Sequence, residues 1–449
     1  MKKSVIKTPI SDFVEKYALS SAVRFHMPGH KGENFTGSEI FDLTEIDGAD
    51  SLYQASGIIA ESEDNASEIF GCKTFYSTEG SSLAIRAMMR LIDLYAGLKG
   101  EKTTILAGRN AHSTFLSSAI AIGFKVEWIY PEKGNYLSCE ITPRRLGKIL
   151  SSSKKLPAAL YITSPDYSGN IADIKGLAEI CKKYGVILAV DNAHGAYLKF
   201  LTPSSHPIDL GADICVDSAH KTLPCLTGGA YLHISNDAPS VFAERAKNAL
   251  ALFGSTSPSY LILRSLDKLN AYLNDGFKDK LRKTVNAVSE IKRELSEKGY
   301  ALIGSETLKI TVDANGYGYT GKELNAILRS ENIFSEFYDD KLLVLMISPE
   351  NSDEDLIKLR NALLSIPRKT PIIDLSPDFY IPKKIMEIKE AAKKPSYIER
   401  VERSVGKVVS EAIVKCPPAV SVVVGGELVD EKVKDLLIKY GIEELILVK

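Results

Sequence analysis

Val186-Ile187-Leu188-Ala189-Val190-Asp191-Asn192-Ala193-His194-Gly195 sets an unbroken apolar run directly before a carboxylate. A run that is apolar at every position, rather than at alternate ones, belongs to a strand buried on both faces. The surrounding sequence repeats the pattern. Thr103-Thr104-Ile105-Leu106-Ala107, Phe124-Lys125-Val126-Glu127-Trp128-Ile129, Ala158-Ala159-Leu160-Tyr161-Ile162 and Ile214-Cys215-Val216 are short strand-like runs, and helical patterns such as 83–96 and 112–122 fall between them. From about 65 to 235 this alternation predicts an α/β fold with a mainly parallel sheet covered by helices. Ligands in that architecture bind beyond the carboxyl ends of the strands, which is where Asp191 stands. An ionised Asp in such a place requires a cation or hydrogen-bond donors.

Outward from this region the chain divides further. Residues 1–60 are Gly-rich and lack a long periodic run, so they read as an N-terminal arm with at most a short helix. We take 61–265 as the large domain. Leu263, Leu266 and Leu269, then Val285, Val288, Ile291 and Leu295, predict one long helix over 262–298. It connects to a small α/β domain, the two together spanning 266–370, with strands at 308–312 and 342–346 and helices at 320–331 and 352–365. The Pro-rich stretch 368–385 reads as a linker. Beyond it, 371–449 is expected to form a third unit, helical over 386–414 and with a last strand beginning at Val420–Val424.

The chain has 449 residues, with 56 Lys plus Arg against 57 Asp plus Glu, a formal charge of −1. That balance provides no general attraction for nucleic acid or an anionic membrane, so a small-molecule partner is expected. Six cysteines form no Cys-x-x-Cys pair and several lie in apolar runs, which predicts reduced thiols and a cytoplasmic protein. The first residues lack the apolar core of a signal peptide, and no segment approaches the roughly 20 apolar residues of a membrane span.

The chemistry begins with a second strand end. Asp217-Ser218-Ala219-His220-Lys221-Thr222 follows the run 214–216, and we expect Lys221 to lie near the core. A carboxylate and an amine on neighbouring strand ends are the two groups that pyridoxal 5'-phosphate requires: the amine forms a Schiff base and the carboxylate keeps the ring nitrogen protonated. They would equally suit a structural ion pair. A third element favours the cofactor. Thr78-Glu79-Gly80-Ser81-Ser82 leads from a strand into a helix, offering backbone N–H groups and hydroxyls to a phosphate, although Ser there would also serve as a simple cap. His26, His30, His112, His194 and His220 sit in Gly-, Pro- or Ser-punctuated segments. His26 and His30 have helical spacing, but Pro28 and Gly29 break any helix between them, so no metal site is expected.

Phe25-His26-Met27-Pro28-Gly29-His30-Lys31-Gly32, Ser218-Ala219-His220-Lys221-Thr222-Leu223-Pro224 and Ser255-Thr256-Ser257-Pro258-Ser259-Tyr260 resemble signatures of the bacterial ornithine/lysine/arginine decarboxylases, pyridoxal-phosphate enzymes of the aspartate-aminotransferase fold. Asp191-Asn192-Ala193-His194-Gly195-Ala196, Arg109-Asn110-Ala111-His112 and Cys416-Pro417-Pro418 with Gly426-Glu427 are similar to further motifs, in the same order over about 25–430. The resemblance implies that Lys221 carries the cofactor, Asp191 pairs with its ring nitrogen and His112 stacks on the ring. It implies that Gly80, Ser81, Ser82, Ser218 and His220 hold the phosphate. Ser255 and Thr256 would reach across from a second subunit, making a homodimer with its site at the interface. His194 joins Lys221 as a catalytic residue that could return a proton to Cα. The expected reaction is decarboxylation of lysine, ornithine or arginine through an external aldimine, with Glu427 as partner for a basic side chain. Asn192, Ser113, Tyr197, Gly228 and Arg264 depart from the family pattern, and we expect those departures to bear on the substrate. Two rivals remain at this point: an aminotransferase or lyase using Arg264 or Arg24 for the substrate carboxylate, and a non-catalytic binding protein on the same fold.

Overall fold

A computed structural model describes residues 6–132, 135–373, 379–411 and 418–449. Seven strands form one sheet: β1 (Lys73–Ser77), β2 (Thr104–Gly108), β3 (Lys125–Ile129), β4 (Ala159–Thr163), β5 (Ile187–Asp191), β6 (Ile214–Asp217) and β7 (Ala230–Ile234). Their order is β1-β7-β6-β5-β4-β2-β3. β5 pairs in parallel with β6, and β2 with both β3 and β4, whereas β7 runs antiparallel to β1 and β6. The α/β class with a mainly parallel sheet is therefore as the sequence predicts. All residues of β5, β6 and β7 are buried, which accounts for the unbroken apolar runs Ile187–Val190 and Ile214–Val216.

The chain forms two compact units, Met1–Thr103 with Ile174–Lys280, and Thr104–Asp173 with Leu281–Lys449. In the first, the helix Gly80–Leu98 packs on β6, β7 and the helix Ser240–Ala251. The helix Pro9–Ala18 is anchored by a buried acid: Asp267 accepts the Ser11 N–H at 2.8 Å and the Ser62 hydroxyl at 2.6 Å. Burial raises the Asp267 carboxyl to about 6, above the ordinary 3.8. The folded state then holds a proton, between about pH 4 and 6, that the unfolded chain has released. Stability from this group is present below that window and lost as pH rises through it. Asp267→Asn is expected to gain on wild type by about 2 kcal/mol between pH 4 and pH 7, read from urea midpoints at each pH.

The second unit adds a four-stranded antiparallel sheet, β8 (Ala301–Ile303), β9 (Lys309–Asp313), β10 (Phe337–Tyr338) and β11 (Leu342–Met346), in the order β10-β11-β9-β8. A three-stranded sheet follows, β12 (Ser396–Arg400), β13 (Val409–Glu411) and β14 (Glu444–Val448), with β14 central. Val401, Val409, Val429, Val433, Leu445 and Leu447 share its core with Leu342.

Three local expectations are corrected. The long helix over 262–298 is two helices, Tyr260–Asn274 and Phe277–Lys298, because Gly276 at φ +86° turns the chain between them. The helix expected over 386–414 is not formed over its described part, 386–411, which holds the short helix Ile388–Ala392 and then β12, whose alternating exposure marks an edge strand; residues 412–414 lie outside the described residues. Val420–Val424 is not a strand; Val420 makes a single bridge to His112, after Ala419 at φ +55°. Residues 374–378 of the Pro-rich stretch, and Cys416 and Pro417, lie outside the described residues. Among the described residues no helix is long and apolar enough to cross a membrane.

Candidate active site

In the first unit the chemistry-bearing residues follow from strand ends. β5 stops at Asp191, which is 2% exposed and accepts the Ala193 N–H at 3.2 Å. β6 stops at Asp217, and the one-turn helix Ala219–Thr222 follows after Ser218. That turn directs Lys221 outward, so the expectation of a near-core lysine is corrected: Lys221 is exposed. Its Nζ lies 3.2 Å from Nε2 of the buried His194, on the turn that begins at Asp191. An accessible amine held by an imidazole is a nucleophile with a proton partner at hand.

The residues expected to hold a phosphate lie in the same unit. Gly80, at φ +71°, opens the helix Gly80–Leu98, and beyond its chain neighbours and its own helix no atom lies within 4 Å of where its Cβ would be. Glu79 precedes the helix without capping it; its carboxylate instead accepts the Ser255 N–H at 2.6 Å. The first turn, with Ser81 and Ser82, is thus without a side-chain cap among the described residues, which suits an incoming anion. The hydroxyls of Thr78 and Thr222 are buried with no partner among the described residues. His220 Nδ1 lies 3.1 Å from the Gly229 carbonyl and 3.4 Å from Ser218 Oγ, and burial lowers its pKa, favouring the neutral ring. These features fit a phosphate-bearing aldehyde cofactor. Ser255 and Thr256 are exposed.

His112 and Glu427 belong to the second unit. His112 caps the helix Ser113–Ile122, its Nδ1 accepting the Thr114 N–H at 3.1 Å. Glu427 is 2% exposed and receives Arg109 Nη2 at 3.0 Å and the Val424 N–H at 2.8 Å. Arg109 also donates to the Ser421 and Val422 carbonyls and lies over Trp128. Burial raises the Glu427 carboxyl, against the pull of Arg109. Both donors reach Oε2, while Oε1 is buried without a partner among the described residues.

Four of the five departures from the family pattern have surroundings that bear on them. Asn192 and Tyr197 are fully buried, so they do not line an open substrate pocket. Arg264 donates to Glu15 at 2.7 Å and Arg24 to the Ile40 carbonyl at 2.9 Å, so both have partners within the N-terminal region. Gly228, at φ +100°, lies where a Cβ would come within 2.8 Å of the Thr78 carbonyl, and its own carbonyl accepts the Gly80 N–H at 2.8 Å. Gly228→Ala is expected to cost on the order of 1–3 kcal/mol, measured as a fall in the urea midpoint. His26 and His30 are not joined: one meets Tyr17 at 2.6 Å, the other Asp42 at 3.3 Å.

One cluster escaped the sequence reading. Asp217 Oδ2 lies 3.0 Å from His206 Nε2 and 3.2 Å from His233 Nε2, all three residues fully buried. Their spacing would admit a metal. However, the Ile208 N–H points at His206 Nδ1 at 3.4 Å, which places the ring proton on Nε2, facing Asp217. We therefore read a hydrogen-bonded cluster. Burial alone would raise the Asp217 carboxyl, but the two imidazoles hold it well below its usual range, while burial lowers His233. Only Asp217, beside Ser218, gave any hint in sequence; His206 carries no motif.

A family model described as Orn/Lys/Arg decarboxylase, major domain, matches residues 8–313. The chain belongs to the Orn/Lys/Arg decarboxylase family and is an amino acid decarboxylase of the class that acts on basic amino acids. Uncharacterized protein YaaO of Bacillus subtilis is 28% identical over 461 residues, covering 95% of this chain and 93% of its own length. The arginine decarboxylase of the same organism is 28% identical over 473 residues, covering 95% and 92%. The lysine decarboxylase LdcF of Francisella novicida shares the fold, with TM-score 0.79 at 16% identity over 99% of this chain and 81% of that one.

Proposed function

We propose that the protein is a pyridoxal 5'-phosphate-dependent decarboxylase that converts arginine, lysine or ornithine to the corresponding amine. The accessible Lys221 amine, 3.2 Å from His194 on the turn after Asp191, carries this reading. When bound, pyridoxal 5'-phosphate supplies an aldehyde for an amine and a ring that draws electrons from the bond to the departing carboxylate. Lys221 Nζ would hold the aldehyde carbon until a substrate amine displaces it. Asp191 would keep the proton on the ring nitrogen, and His112 would stack on the ring. Gly80, Ser81, Ser82, Ser218 and His220 would bind the phosphate, with Ser218 and the helix N-terminus supplying donors. His194, by taking or returning a proton at Lys221 Nζ, would let the lysine act as an acid toward Cα.

The name of the full-length Bacillus subtilis relative supports testing arginine first. The division into an arm 1–60, a large domain 61–265, a linking part 266–370 and a C-terminal part 371–449 belongs to the same proposal. So do a cytoplasmic location and a homodimer, with Ser255 and Thr256 completing the partner's site. Exposed Phe25, Met27 and Phe35 support a covered N-terminal face in such an assembly.

The deciding experiment supplies purified protein with the cofactor and then with arginine, lysine and ornithine in turn. Release of carbon dioxide and amine is expected with one of them. Keto-acid formation without carbon dioxide would instead establish an aminotransferase, and an absorption spectrum unmoved by every amino acid would indicate a binding protein.

A further inference from the structure

The fully buried Asn192 does not read substrate, and its surroundings assign it another task. Its side-chain Nδ2 donates to Asp217 Oδ1 at 2.7 Å, and its backbone N–H donates to the Val216 carbonyl at 2.9 Å. Two links therefore tie the end of β5 to the end of β6. Asp191 immediately precedes the first tied residue, and Ser218 immediately follows the second. The other oxygen of Asp217 receives His206 Nε2 and His233 Nε2. His233 lies on β7 and its Nδ1 meets Thr74 Oγ1 on β1 at 3.0 Å, so the cluster also spans β1, β7 and β6.

We propose that Asp217 and Asn192 are positioning residues for the cofactor: the carboxylate, held by two imidazole N–H groups, fixes the Asn192 amide and with it the strand ends that present Asp191, His194, Ser218 and Lys221. A carboxylate suits the task because it accepts on both oxygens, and the two imidazoles are each oriented by a further group, His206 by the Ile208 N–H and His233 by Thr74 Oγ1. An amide in place of Asp217 would turn an NH2 toward either Asn192 or the two imidazoles, and His206 cannot answer by changing tautomer because Ile208 N–H faces its Nδ1. Neither residue touches the reacting atoms in this account. The inference rests on the reading of Lys221 and Asp191 as the cofactor anchors.

The test uses the full-length protein as Asn192→Ser, Asp217→Asn and the two combined. Cofactor affinity is read by titrating pyridoxal 5'-phosphate against its absorbance, the yield of borohydride trapping on Lys221 is measured, and melting of each cofactor-free protein is followed in parallel. Losing a hydrogen bond to a buried charge is expected to weaken cofactor binding about tenfold in either single variant. The double variant should be little worse than the weaker single, since both act through one link. Single variants that bind the cofactor as wild type does, and differ only in melting temperature, would overturn the proposal and leave the cluster a core element. Should Asp217→Asn not fold, Asn192→Ser decides alone, because it leaves the two imidazole bonds intact. A wild-type protein that binds no pyridoxal 5'-phosphate would instead refute the reading of Lys221, a result distinct from equal affinities across the variants.

Discussion

Lys221→Ala is expected to lower kcat by on the order of 10²–10⁴-fold while leaving the cofactor-free protein folded. The amine would act twice, as the group that tethers the aldehyde and as the acid that protonates Cα, so its loss removes both functions together. Folding should hardly notice. Lys221 is exposed, and exposed substitutions usually change stability by less than about 0.5 kcal/mol. Borohydride should no longer attach the cofactor, and Lys221→Arg should not restore activity, because a guanidinium remains protonated and cannot condense with an aldehyde. Carbon dioxide release within tenfold of wild type in Lys221→Ala would remove this residue from the mechanism.

Arg109→Met carries the largest expected effect on stability, a loss of about 3–5 kcal/mol at neutral pH. Methionine retains an apolar stem against Trp128 but leaves Glu427 buried with only the Val424 N–H from the contacts described. Glu427 Oε1 already lacks a partner among the described residues, so little remains to solvate the charge. Burial raises the Glu427 carboxyl even with Arg109 present; without the guanidinium it would take up a proton more readily still. The penalty should therefore shrink as the pH falls toward 5, and Arg109→Met combined with Glu427→Gln should recover much of the loss. Urea midpoints of the three proteins at pH 5 and pH 7.5 test this. An unchanged midpoint in Arg109→Met would mean that the ion pair contributes nothing net to the fold.

The parallel strands were legible because burial on both faces leaves a continuous apolar signal, as in Ile187–Val190. The strand β7 was not singled out: it follows Gly228-Gly229 directly and has no helix between it and the preceding turn. Asp191 and Lys221 could be found because strand ends are where charged residues interrupt apolar runs. Their exposures could not, since a single turn, Ala219–Thr222, decides that Lys221 faces outward. Glu427 shows the limit from the other side. Its partner Arg109 lies far away in sequence, and only the folded chain reveals that one of its two oxygens is engaged by a guanidinium. Leucine periodicity continues on both sides of Gly276 and therefore does not show where the chain turns between the two helices. Charged residues over 386–411 imitated a helix face where the chain forms the edge strand β12.

Each compact unit is stitched from two separated lengths of chain, and β1 pairs with β7, Ser77 opposite Ala230. Vectorial synthesis therefore cannot complete either unit in turn: β1 emerges and must wait, its edge unprotected, through the whole stretch that builds β2, β3 and β4. Non-local pairing of this kind closes slowly and leaves the nascent polypeptide open to aggregation. Heterologous production at reduced temperature, or with a holdase in excess, should raise the soluble yield far more than it would for a protein whose units are contiguous.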